Sequence, residues 1–166
     1  MKTKYLKILS LFLLLFVLSF TSCTKEDNDF ESIKGDSVAE LKNGKPIIRV
    51  DKENLLAKFE QLASVDNVSV KYERLEIKEL EDKEYALFAF SGDNLIKSAT
   101  LLEKRGNNLI VSTMNNGTVT CTTTGCSSTT GCLPIRPTLT VLGEKIKVWI
   151  CTECSADCTR SASVGL

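Results

Sequence analysis

The spacing of apolar positions changes several times along the chain, and each change marks an element. Residues 8–20 are apolar throughout except at Ser10 and Ser19. These 13 residues fall short of the ~20 that a helix needs to cross ~30 Å of hydrocarbon. They follow Lys2, Lys4 and Lys7, which is the order of a secretory signal peptide. Residues 24–44 are polar, with Gly35, Asn43 and Gly44 and few large apolar groups. Such a stretch buries too little surface to offset ordering and reads as a flexible acidic tether. Residues 46–50 form a short extended segment. Asp51 then supplies an N-cap with Glu53 in the first turn. Leu55, Leu56, Phe59, Leu62 and Ala63 recur at helical spacing, with Lys52, Lys58, Glu60 and Gln61 on the other face, so a helix is expected to about residue 64.

The period then becomes two. Val68, Val70 and Tyr72 alternate, and Leu75 and Ile77 alternate in the opposite phase. The slip at Glu73 and Arg74 predicts a bulge in a long strand. Residues 81–83 read as a turn. Residues 85–90 are apolar on both faces, as in a central strand. Turn clusters at 91–94 and 105–108 bracket a strand over 95–103 and lead into a strand at 109–111. Further on, residues 138–142 and 145–150 flank Gly143 and Glu144 as a hairpin, with Trp149 and Ile150 offering apolar surface to the meander. The fold class expected is α+β: one N-terminal amphipathic helix packed on an antiparallel β-meander, followed by a small disulfide-rich loop and hairpin module. The divisions are a signal peptide over 1–22, a tether over 23–44, helix and meander over 45–115, and a cysteine-rich tail over 116–166.

Composition narrows the chemistry. The chain has 166 residues, 21 basic and 21 acidic, and no histidine. Loss of Lys2, Lys4 and Lys7 with the leader leaves 18 basic against 21 acidic residues. A slightly acidic chain has no electrostatic reason to bind nucleic acid. Without histidine there is no Ser-His-Asp or Cys-His catalysis and no imidazole metal ligand. Glu73, Glu76, Lys78, Glu79, Glu81 and Glu84 read as a solvated strand face that discourages edge pairing. No phosphate loop, nucleophile elbow or carboxylate calcium loop is present, so no catalytic residue is nominated. Asp36, Ser37 and Val38 match an O-glycosylation pattern but read as plain linker; Asn116, Gly117 and Thr118 form a sequon on paper and read as a turn.

Seven cysteines remain. Six lie within 38 residues of the tail: Cys121, Cys126 and Cys132, then Cys151, Cys154 and Cys158. Residues 107–135 carry no charge, and 118–130 are mostly Thr, Ser, Gly and Cys, a composition that forms no packed core alone. Three readings compete. Three disulfides fit an exported, loop-rich segment with an even count, mainly between the two clusters, with the pairing open. Zinc, or an iron–sulfur cluster, is the alternative for the same six cysteines. Cys151 and Cys154 have knuckle spacing, but the first cluster is wider. A C-x-x-C redox site at Cys151 and Cys154 would require a helix N-terminus after a parallel strand.

Cys23 follows Phe20, Thr21 and Ser22, which resembles a bacterial lipoprotein signal; the family usually has Leu where Phe20 stands. The resemblance implies lipidation of Cys23 as the membrane contact, since stable anchoring takes more than one acyl chain. Lys25, Glu26, Asp27 and Asp29 resemble the surface-export signal of Bacteroidota lipoproteins. The whole chain, with Gly125-Cys126-Ser127, Gly131-Cys132-Leu133-Pro134 and residues 151–159, resembles uncharacterised small lipoproteins of Bacteroidota, flavobacteria especially. The group implies no catalytic residue. The expectation is a non-enzymatic, disulfide-stapled structural or interaction module, without cofactor, anchored at the outer membrane or cell surface of a Gram-negative cell. Its protein or glycan partner is open.

Overall fold

The computed structural model describes residues 37–112, 117–128, 130–154 and 157–164. The leader, Cys23, Asp36 and Asn116 lie outside them.

The chain enters on a hairpin. β1 (Ser37–Lys42) and β2 (Lys45–Ile48) pair antiparallel across Asn43 and Gly44, whose φ angles of 52° and 75° suit a two-residue turn. The helix is therefore not N-terminal to the sheet, and β1 occupies residues read as tether. Composition hid this strand because its three buried side chains, Val38, Ala39 and Leu41, stand among polar neighbours.

Helix α1 (Lys52–Val65) begins where expected. Asp51 accepts a hydrogen bond from the Glu53 amide at 3.0 Å. It ends in a Schellman arrangement: Asn67, at φ 60°, donates to Ser64, and Val68 donates to Ala63. Val68 thus closes the helix, and residues 68–71 are not strand.

β3 (Tyr72–Glu79), β4 (Tyr85–Ser91), β5 (Ile96–Arg105) and β6 (Asn108–Val111) form the meander, with a 3₁₀ turn at Glu81–Lys83. The β3–β4 register shifts between Tyr72 and Arg74, the bulge that the alternation implied. The sheet does not stop at four strands. β7 (Gly117–Thr123) continues beside β5 where β6 leaves off, β12 (Cys158–Val164) pairs with β7, and β1 pairs with β6. Eight strands result among the described residues. Off this sheet stand two small ones: β8 (Pro134–Ile135) with β11 (Ile150–Cys151), and β9 (Thr138–Val141) with β10 (Glu144–Lys147).

β4 is buried at every position because both sides of the sheet are covered. Tyr85, Leu87 and Ala89 join Leu55, Phe59 and Ala63 of α1 in one core. Ala86, Phe88 and Phe90 join Ala99 and Val119 in a second, against which Leu133 and Trp149 of the tail pack. The order is helix, sheet, tail. Thr118 and Thr120, in the stretch expected to lack a core, are buried in β7. Their β-branched chains fit a strand. The Thr120 hydroxyl meets Ser98 at 2.7 Å, and Ser98 meets the Tyr72 hydroxyl.

Candidate functional site

The tail is ordered first by its hydroxyls. Thr123 Oγ1 accepts from the amides of Gly125 and Cys126 at 3.3 and 3.2 Å. Ser128 Oγ accepts from Gly131 at 2.9 Å. Thr152 accepts from the Leu133 amide and donates to the Thr130 carbonyl, both at 2.8 Å. A loop rich in Thr, Ser and Gly carries many backbone groups per apolar atom, and short hydroxyl side chains satisfy them locally. Gly131 is needed for another reason. A Cβ there would sit 2.7 Å from Ser128 Oγ and 3.3 Å from both Cys126 Sγ and Cys154 Cβ.

On this scaffold all six tail cysteines pair. Cys121 bonds Cys151, Cys126 bonds Cys154, and Cys132 bonds Cys158, with Cα separations of 5.8, 6.2 and 5.6 Å. Each bridge runs from the first cluster to the second, in order. The six sulfurs' residues form one cluster, with Cys121 and Cys132 fully buried. Cys151 and Cys154 bond different partners, so the C-x-x-C is not an internal redox pair. Every tail sulfur is in a bridge in this arrangement. Among the described residues no group of His, Cys, Asp or Glu is placed to hold a metal.

Two charged features escaped the sequence. Lys97, the second residue of β5, is fully buried, and its ammonium donates to the carbonyls of Gly131 at 2.8 Å and Cys126 at 3.4 Å. Burial pushes its pKa down, and the Asp93 carboxylate partly offsets this. The signal was a lysine sharing a strand face with Ala99 and Leu101. The second is a clasp. Arg136, its side chain 8% exposed, binds both oxygens of Glu84 at 2.9 and 2.7 Å. Lys147 reaches Asp82 at 2.9 Å and Glu84 at 3.2 Å. Glu84 is therefore not part of a merely solvated face. Along β3, Arg74 lies 4.0 Å over the Phe90 ring and Lys78 5.2 Å from that of Phe88, cations placed over aromatic rings of the second core.

No model of a known protein family, no curated protein and no solved structure matches this chain.

Glu73 and Asp93 border a shallow depression of about 500 Å³. There Asp93 accepts from Ser91 Oγ at 2.6 Å and the Leu95 amide at 3.0 Å. Those bonds, the Ser91 one foremost, hold its carboxyl below the usual range, and they build the turn.

The β9–β10 hairpin differs from the rest. Leu139 pairs with Ile146, and Val141 with Glu144, which puts three apolar side chains on one face. They are 40%, 40% and 47% exposed. Thr138, Thr140, Lys145 and Lys147 occupy the other face. Lys147, from that polar face, makes the tie to the body. At the tip Leu142 is fully exposed at φ 54°.

Proposed function

We propose that this chain is a lipid-anchored, extracytoplasmic interaction module of the Bacteroidota lipoprotein type, carried at the outer membrane or cell surface through Cys23. It presents the β9–β10 hairpin to a protein or glycan partner. The hairpin carries the reading: a strand pair tied down from its lysine face, with Leu139, Val141, Leu142 and Ile146 left to solvent. Clustered exposed apolar groups on a braced element are a mark of contact surfaces. Three bridges suit an oxidising compartment, and the leader supplies the address.

Fractionation and intact mass of the native protein test the two halves separately. Wild type is expected in the membrane fraction with acyl mass on Cys23, and Cys23→Ser is expected to lose that mass. Reduction should add one hydrogen for each tail cysteine. A wild type without acyl mass would sink the anchor, and no gain on reduction would sink the staple.

A further inference from the structure

Lys97 sits at full burial, and its ammonium is held by backbone carbonyls of the tail. An ammonium taken out of water without a carboxylate in contact is costly, so its position must be imposed from outside the tail. It is imposed by the sheet. Residue 97 is opposite Phe90 on β4 and opposite Cys121 on β7, so both neighbours of β5 fix where the side chain rises. The two carbonyls that it gathers belong to Cys126 and to Gly131, the residue before Cys132. Cys121, Cys151 and Cys158 are placed by strands. Cys126 and Cys132 lie in no strand; the hydroxyls of Thr123 and Thr152 hold the amides of Cys126 and Leu133, and Lys97 is the contact that ties the loop's carbonyls to the sheet face.

We propose that Lys97 selects the cystine pairing. The sheet forms and presents the ammonium, the loop carbonyls settle on it, and Cys126 and Cys132 then face Cys154 and Cys158. Six cysteines can pair in fifteen ways; this contact admits the ordered one. Each bridge forms by loss of two protons and two electrons from two thiols to a disulfide oxidant, such as oxidised glutathione, which leaves as two thiols. Lys97 takes no part in that exchange and acts by placing the thiols.

The test is oxidative refolding of the reduced full chain in glutathione buffer, with Cys23→Ser throughout so that a seventh thiol does not compete. Bridges are mapped by peptide mass. Wild type should regain the three ordered bridges. Lys97→Met, of similar length without the donor, should give mixed products with the errors at Cys126 and Cys132. Val119→Ala, which loosens the same face and leaves the ammonium, should still pair in order. Ordered pairing in Lys97→Met would overturn the proposal, and so would equal scrambling in Val119→Ala, because general loosening would then suffice. If Lys97→Met does not fold at all, the wild-type chain decides. Pulsed with an amine-acylating reagent at intervals during refolding, it should show Lys97 protected before the Cys126–Cys154 bridge closes. A Lys97 still reactive after that bridge and the Cys132–Cys158 bridge have closed is the contrary result.

Discussion

Leu142 is the residue that local physics would not choose. It is fully exposed at a φ of 54°, a left-handed conformation that costs a side chain with a Cβ roughly 1–2 kcal/mol. The equivalent position in the β1–β2 turn is Asn43, and Asn tolerates such angles. A leucine there stabilises nothing visible in the fold, which is consistent with retention for contact. Leu142→Asn is therefore expected to raise stability by about 0.5–1 kcal/mol, measured by urea unfolding. A loss of stability would mean that the tip packs on something within its own chain. Lys97 and Glu84 make the converse point. Each is an ordinary charged residue in the sequence, and each becomes structural only when a remote segment arrives: residues 126–131 for Lys97, and Arg136 and Lys147 for Glu84. Sequence spacing carries no record of partners 34 or 52 positions away.

Among the elements, those with a strong period were legible: α1 with its Asp51 cap, the doubly buried β4, the slip that becomes the bulge in β3, and the hairpin around Gly143. β1 was not. Its acidic, small-residue neighbourhood looked like tether, and the signal lay in Asn43 and Gly44, the dipeptide preferred in two-residue hairpin turns. β7 was missed because Thr reads as polar although its branched chain suits a strand. The case of β1 is testable. Val38 and Leu41 are 0% and 7% exposed, and burial of such side chains contributes about 1.5–3 kcal/mol each. A chain beginning at Lys45 should lose about 3–6 kcal/mol, whereas one beginning at residue 34 should match one beginning at Cys23. Thermal unfolding of both separates the outcomes. An equally stable shorter chain would return β1 to the tether.

At the scale of the whole molecule, the six cysteines told of a staple, and composition could not tell what it fastens. The structure gives the answer in layers. Two strands of the tail region, β7 and β12, lie in the main sheet, while Leu133 and Trp149 cover its second core. The tail therefore gives two strands to the main sheet and a cover to its second core. Each bridge closes a loop of 26 to 30 residues, which stabilises by about 2–4 kcal/mol. The three loops overlap, so their sum is less than additive, yet it is comparable with the ~5–15 kcal/mol net stability of a domain. Reduction should accordingly unfold the molecule as one unit. Trp149, the sole tryptophan, reports the tail layer, and far-UV circular dichroism reports helix and sheet. On reduction at ambient temperature, the red shift of Trp149 emission and the loss of the far-UV signal should coincide. A red shift with an intact far-UV signal would instead mean that the tail peels from a self-sufficient helix and sheet. In that case the second core, with Phe88 and Phe90, would stand open to solvent while the first, around Phe59 and Tyr72, kept its packing.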